Sequence, residues 1–98
     1  MGAATYDSSR LAGRRTASGE RYDPNGFTAA HKSLPFGSRV RVSRVDGVGQ
    51  AVVVRINDRG PFAGGRIIDV SMAAAKKLAM RKAGVVKVRV EVVRIPER

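Results

Sequence analysis

Two strands and the turn between them are indicated by the alternation of apolar and charged positions in the middle of the chain. Over Arg39–Val45, Val40 and Val42 share one face of an extended chain, and the intervening arginines share the other. This period of two is typical of a half-buried β-strand. Residues 46–49 contain two glycines and predict a chain reversal. The β-branched run over 50–56 then predicts a central strand that forms a hairpin with the first.

The second half of the chain predicts a strand, a short helix and a final strand. Arg66–Val70 is largely β-branched and leads into Ser71, a residue type that favours the N-cap of a helix. The helix is predicted over about 71–82, and Gly84 suits its C-terminal end. Valines alternate with charged residues over most of Val85–Ile95, so a long strand is expected there.

Short strands dominate the predicted elements, which places the chain in the mainly β class. Residues 1–38 are rich in small and polar residues and predict loops with short strands, and Asn57–Pro61 consists of turn-forming residues. Five or six short strands with one helix favour a small closed barrel, because closure removes the sheet edges. The sequence shows no repeat and no linker, so one domain is expected over 1–98.

Composition and charge narrow the class of partner. The 98 residues include 19 Lys and Arg against 8 Asp and Glu, which gives a net charge of +11. The partner is therefore expected to be anionic, and nucleic acid, acidic lipid and acidic wall polymer all qualify. Because the chain has no cysteine, disulfides, thiol catalysis and zinc-thiolate sites are excluded. No apolar run is long enough to span a membrane, and residues 1–4 do not resemble a signal peptide, so a targeting segment is expected to be absent from this chain.

The few acidic residues are the first candidates for chemistry. Four have simple explanations as terminus, turn, outward strand position and tail: Asp7, Asp46, Glu91 and Glu97. Four remain in or near predicted loops: Glu20, Asp23, Asp58 and Asp69. Asp69 interrupts an apolar run, so partial burial is expected to raise its pKa if it has no partner. Paired carboxyl groups in one concave site are what glycosidic bond cleavage requires.

Each candidate also has a structural interpretation. Glu20 could pair with a neighbouring arginine on a solvated loop. The Asp58 carboxylate could cap its own backbone in the turn, and Asp69 could cap the helix or hold an arginine. His31, the single histidine, could be a hydrogen-bonded residue of a loop. The residues alone therefore predict a basic, β-rich module with a carboxylate site.

These polar residues lie in four blocks that resemble the rare lipoprotein A (RlpA) family, the double-psi β-barrel domain of septal-ring lytic transglycosylases. The blocks are Gly13–Asp23, Thr28–Val42, Val53–Phe62 and Arg66–Ser71. They keep the order and spacing of the family and cover most of 13–92. The same barrel also occurs in expansins, barwin-like proteins and some endoglucanases, so the fold alone does not decide the activity.

The resemblance implies a six-stranded double-psi β-barrel with one short helix, whose groove binds a linear glycan. It further implies that Glu20, His31 and Asp58 form the catalytic site, with Asp69 at the position of an Asp that expansins and related transglycosylases need. A lytic transglycosylase cleaves the bond between N-acetylmuramic acid and N-acetylglucosamine without water. The C6 hydroxyl of the sugar itself attacks and leaves a 1,6-anhydro end. One carboxyl can serve as acid and then as base, and Asp58 is interpreted as this group.

Other residues of the blocks are interpreted as substrate contacts or positioning groups. His31 would orient a carboxylate or bind substrate, and its alternative is the structural one. No metal and no cofactor is implied. The chain departs from the family at Tyr6–Asp7, where members usually have Tyr-Gly. Candidate glycan contacts are Thr16, Ser18, Tyr22, Asn57 and Arg59.

The expected partner is the glycan strand of peptidoglycan, and the expected location is the cell envelope, periplasmic or exported. The protein is expected to act as a monomer. The competing hypothesis is an expansin-like module that binds or loosens the wall without cutting it. The joint presence of the four candidate catalytic residues favours an enzyme. Nucleic acid is not expected as a partner, because the chain has no Trp and only 5% aromatic residues.

Overall fold

The computed structural model describes residues 1–46, 49–61 and 63–97. In these ranges six strands form one closed barrel in the order β1-β5-β2-β4-β3-β6, with one short helix outside it. This confirms the predicted mainly β class and the barrel. None of the described helical segments has the length and apolarity needed to cross a bilayer. The elements are β1 (Gly2–Tyr6), β2 (Thr28–Ala30), β3 (Arg39–Arg44), β4 (Ala51–Asp58), β5 (Arg66–Val70), α1 (Met72–Lys77) and β6 (Val86–Arg94).

The core of the barrel is built by the predicted alternation. In the antiparallel pair β3–β4, Val40 lies opposite Val54 and Val42 opposite Val52, and all four side chains are buried. Arg39 and Arg41 face outward, as the period of two requires. Strands β1 and β5 pair in parallel, as do β2 and β4. Apart from the β3–β4 pair, strands that follow one another in the chain are not neighbours in the barrel, so segments distant in sequence lie side by side.

Strand β4 is longer than the sequence pattern predicts. It continues through Asn57 and Asp58 because β2 lies parallel to it, with Ala29 opposite Ile56 and Ala30 opposite Asp58. The predicted turn over 57–61 therefore begins only after Asp58, and the Asp58 side chain is held at a strand end. Residues 47 and 48 of the predicted turn over 46–49, together with Phe62, lie outside the described residues.

Helix α1 begins as predicted, since the Ser71 hydroxyl accepts a hydrogen bond from the Ala74 N–H. The predicted end near residue 82 is wrong, because the helix ends at Lys77. Ala79 takes a left-handed conformation with φ of 52°, which breaks the helical path. The Arg44 guanidinium donates to the carbonyl oxygens of Leu78 and Ala79, each at 3.0 Å, and so satisfies acceptors that a longer helix would use. Gly84 lies well beyond this end.

Candidate active site

A small cleft, open to solvent at its mouth, lies at one end of the barrel. Its floor is strand β2, whose residues Thr28–Ala30 have small side chains. Its walls come from the ends of β4 and β5, the residue after β1, and the loop that connects β1 to β2. The polar side chains around the cleft are Asp7, Thr16, Tyr22, Asn57, Asp58, Asp69 and Ser71. Carboxyl groups from three separate parts of the sequence therefore converge on one small space.

Strand pairing explains why two of these carboxyl groups face each other across the floor. Ala30 is opposite Asp58 on its β4 side and opposite Asp69 on its β5 side. Neighbouring strands are about 4.8 Å apart, so the backbones of the two aspartates are separated by about two strand spacings. The alanine between them leaves the intervening space empty. The sequence predicted both aspartates as site residues, and the structure brings them to the same cleft.

Asp58 is held in a fixed orientation by the backbone. Its Oδ1 accepts hydrogen bonds from the N–H groups of Ala17 and Arg59, both at 2.9 Å. Its Oδ2 lies 3.9 Å from the Arg14 guanidinium. The contact with Arg59 N–H is the backbone cap that the structural interpretation proposed, yet the carboxylate also lines the cleft. The Asp58 carboxylate therefore caps the backbone of the turn and is also exposed to the cleft.

Asp69 has neither of the structural roles considered for it. Ser71 caps α1 instead, and Asp69 Oδ1 accepts a hydrogen bond from the Thr5 hydroxyl at 3.0 Å. Its second polar neighbour is Asp7, the acidic residue that the sequence pattern assigned to the chain terminus. Burial raises the pKa of Asp7 to about 7, with further upward contributions from the hydrogen bond to Asp69 and from its charge.

Asp7 could have been found from one signal in the sequence. Like Asp58 and Asp69, it lies at the end of a run of small and apolar residues that forms a strand. Its backbone N–H donates to the Val70 carbonyl oxygen at 2.9 Å, which continues the β1–β5 pairing past Tyr6. The pairing itself joins segments more than sixty residues apart, so no local pattern could reveal it.

Glu20 pairs with Arg55 rather than with an arginine of its own loop. The Arg55 guanidinium donates through both terminal nitrogens, one of them to Oε1 at 2.9 Å, and the Asn57 side chain donates to Oε1 at 3.4 Å. The Arg55 hydrogen bonds hold the pKa of Glu20 below its usual value, although partial burial opposes them. Glu20 therefore contacts the cleft indirectly, through the buried Asn57 that lines it.

His31 forms local hydrogen bonds with the backbone. Its Nδ1 accepts from the N–H groups of Ser33 and Leu34, each at 3.2 Å, which leaves the ring proton on Nε2. Burial lowers the pKa of His31, and the charges of Arg59 and Lys32 lower it further. These contacts match the structural interpretation of His31. Its predicted role toward a carboxylate or a substrate stays a prediction.

The five predicted glycan contacts divide into two groups. Thr16, Tyr22 and Asn57 line the cleft, and Ser18 exchanges a 3.0 Å hydrogen bond with the Thr16 hydroxyl. Arg59 instead points toward the protein, where its guanidinium donates to the carbonyl oxygens of His31 and Leu34 and lies 4.0 Å above the Phe36 ring. Within the described ranges no group of three or more His, Cys, Asp or Glu residues could hold a metal ion.

Comparisons with known proteins identify the family of the chain. A family model described as "Lytic transglycolase" matches residues 1–90. A protein named probable endolytic peptidoglycan transglycosylase RlpA, from a Nostoc species, is 60% identical over 82 residues, which are 84% of this chain and 22% of that protein. The endolytic peptidoglycan transglycosylase RlpA of Neisseria meningitidis serogroup A is 54% identical over 90 residues, 92% of this chain and 37% of that protein. The chain thus spans well under half the length of these relatives.

A solved structure shares the fold. The Streptomyces papain inhibitor superposes with a TM-score of 0.72 and 27% sequence identity, over 95% of this chain and 92% of that one. Its name describes protease inhibition, whereas the relatives above are named for cleavage of peptidoglycan. The barrel therefore supports different functions, and the residues of the cleft have to carry the functional argument.

Proposed function

The chain belongs to the lytic transglycosylase family of double-psi β-barrels, and on this premise we propose that its cleft cleaves the glycan strands of peptidoglycan. The observation that carries the proposal is the convergence of Asp7, Asp58 and Asp69 on the cleft. Only 8 acidic residues are present in a chain with net charge +11, so three in one cleft are a marked concentration. Glycoside chemistry needs carboxyl groups in this arrangement, in which one donates a proton and another is charged.

The proposed reaction breaks the bond between N-acetylmuramic acid and N-acetylglucosamine without water. An acid protonates the leaving oxygen, and the C6 hydroxyl of the muramic acid attacks C1 and closes a 1,6-anhydro ring. Asp58 suits the group that receives the hydroxyl proton. Its Oδ1 is occupied by two N–H donors, so Oδ2 is the oxygen that remains to accept a proton. It also offers negative charge beside the electron-poor C1 that forms as the bond breaks.

The other predicted site residues support this chemistry from the edge of the cleft. Thr16 and Asn57 place a hydroxyl and an amide on its wall, where a sugar hydroxyl or acetamido group could bind. Glu20 and Arg55 fix the Asn57 amide by their mutual pairing. In this arrangement Glu20 is a positioning residue.

The expected location and partner of the domain follow from the proposed substrate. We propose that the domain over 1–98 acts in the cell envelope as a monomer, on glycan strands and not on nucleic acid. The excess positive charge would attract the domain to anionic groups of the wall, such as the carboxylates of stem peptides. This attraction should weaken with added salt, because the charges involved are exposed.

Digestion of purified sacculi tests the proposal. The protein is incubated with intact sacculi and with sacculi stripped of stem peptides, and soluble products are identified by mass spectrometry. We expect 1,6-anhydromuramic products from at least one substrate. Asp58→Asn should lower the rate by at least about a hundredfold, the usual size of an acid–base contribution, and leave sedimentation with sacculi unchanged.

The matched control is Glu91→Gln, which removes a carboxylate from the exposed outer face of β6. It should digest sacculi at the rate of the wild type. Sedimentation without any product from either substrate would contradict the proposal and favour the expansin-like binding module. Full activity of Asp58→Asn would remove Asp58 from the mechanism.

A further inference from the structure

We propose that Asp7 is the general acid of the cleft and that Asp69 is the residue that keeps the proton on it. The inference rests on the proposed function and deepens it, because the family resemblance assigned no role to Asp7. It is carried by the way β1 and β5 place the two carboxyl groups in one cleft, with the Thr5 hydroxyl bound to Asp69.

The backbone fixes the contact between the two residues. Thr5 is opposite Asp69 in the parallel β1–β5 pair, and the Asp7 N–H donates to the Val70 carbonyl oxygen at 2.9 Å. Asp7 therefore lies two residues beyond Thr5, the partner of Asp69 in the β1–β5 pair. Both residues line the cleft, and the Asp7 side chain is 21% exposed. A substrate in the cleft could reach Asp7 while most of the carboxyl group stays out of water.

Two carboxyl groups side by side in one cleft favour a proton between them, since a carboxyl group can donate a hydrogen bond only when it is protonated. Asp69 Oδ1 already accepts from the Thr5 hydroxyl at 3.0 Å. In this proposal the shared proton lies on Asp7, from which it can pass to a sugar oxygen in the cleft.

Charged groups on the loop after β1, on β5 and on β4 surround the Asp7 carboxyl group. On the loop after β1, the Arg14 guanidinium lies 3.9 Å from Oδ2 and favours ionisation. The charges of Asp69 on β5 and of Asp58 on β4 oppose ionisation, as does burial. The balance raises the pKa of Asp7 to about 7. An acid with this pKa is protonated in about half of the molecules at neutral pH and gives up its proton readily, which suits general acid catalysis.

The reaction then balances without any further reactant. The Asp7 proton passes to the glycosidic oxygen, the bond from C1 to that oxygen breaks, and its electron pair stays with the leaving N-acetylglucosamine. The C6 oxygen of the muramic acid forms a bond to C1, and its proton passes to Asp58. Asp58 loses this proton to solvent, and Asp7 regains one from solvent. The two products together contain the atoms of the substrate.

The test compares Asp7→Asn, Asp69→Asn and Glu91→Gln with the wild type, by kcat/KM on sacculi between pH 5 and 9. In the wild type and in Glu91→Gln the rate should fall about tenfold for each pH unit above about 7, as protonated Asp7 is lost. Asp7→Asn should lower the rate by at least about a hundredfold. Asp69→Asn should shift the alkaline fall to lower pH, because the neighbour that retains the proton is gone.

A second measurement follows protonation without relying on turnover. The carboxyl carbon of Asp7, observed by NMR with isotope-labelled protein, should titrate near pH 7 in the wild type and at lower pH in Asp69→Asn. Normal turnover by a folded Asp7→Asn variant would overturn the role of Asp7 as the acid and leave the proposed function standing. If the wild type forms no anhydro product, the proposed function fails and the acid role fails with it. A titration of Asp7 near pH 4 would overturn the shared proton in either case.

Discussion

Replacing Asp7 with asparagine should stabilise the folded barrel in alkaline solution while it removes the activity. In the folded protein the pKa of Asp7 is raised from 3.8 to about 7, so between these values the folded state binds a proton that the unfolded state lacks. Stability therefore falls as pH rises through this window, because the slope has the sign of protons bound by the unfolded state minus those bound by the folded state. Asparagine carries no titrating proton and escapes this loss.

The magnitude follows from the width of the window. Between pH 5 and pH 8, about two pH units lie below the raised pKa of Asp7. Each of these units lowers the free energy of unfolding of the wild type by about 1.4 kcal/mol, so the loss is at most about 3 kcal/mol. The Asp7 side chain is 21% exposed, so solvent reduces this to about 2 kcal/mol. The free energy of unfolding of Asp7→Asn, relative to the wild type, should increase by that amount over this pH range.

Urea denaturation at pH 5 and pH 8, followed by far-ultraviolet circular dichroism, measures this difference. Glu91→Gln serves as the control, since its carboxylate lies on the outer face of β6 and should not respond in this window. A difference between Asp7→Asn and the wild type that is the same at both pH values would refute the shared proton. Dominance of the Arg14 charge would give this same constant difference, because the pKa of Asp7 would then lie below the range from pH 5 to pH 8.

Three further substitutions test the supports of the cleft by urea denaturation. Ser71→Ala should cost about 1–3 kcal/mol, because the buried hydroxyl accepts from Ala74 N–H and donates to the Gly26 carbonyl oxygen at 2.7 Å; a cost below about 0.5 kcal/mol would contradict the cap. Arg59→Lys should cost about 1–2 kcal/mol, since lysine cannot reproduce the two carbonyl contacts together with stacking on Phe36, and an unchanged unfolding midpoint would count against that role. Glu20→Gln should cost less than about 1 kcal/mol at pH 7, because the ion pair with Arg55 is partly exposed, and this cost should vanish as pH falls through the lowered pKa of Glu20. A larger cost that persists at pH 3 would show that Glu20 acts through packing.

The strands and the N-cap of the helix could be predicted because their signals are local. The alternation around Val40 and Val42 and the side chain of Ser71 reflect the period of a strand and the hydrogen-bonding need of a helix start. The helix end could not be predicted in the same way. It depends on Arg44, which reaches the Leu78 and Ala79 carbonyl oxygens from a distant strand.

The candidate site could be predicted only as far as its residue types allowed. Asp58 stood out as an acidic residue in a predicted turn, Asp69 stood out because it interrupts an apolar run, and both line the cleft. Asp7 was assigned to the terminus because its importance arises from the β1–β5 pairing, which the sequence does not display. The partner of Glu20 was missed for the same reason, since Arg55 lies thirty-five residues away along the chain.

Digestion of sacculi in water enriched in oxygen-18 reports whether water takes part in the cleavage. If the C6 hydroxyl attacks, the new muramic acid ends carry a 1,6-anhydro ring and no label. We predict this product from the wild type and from Glu91→Gln, and its loss in Asp7→Asn and Asp58→Asn. New reducing ends that contain oxygen-18 would contradict the account, since they would show that the cleft uses water to hydrolyse the glycan.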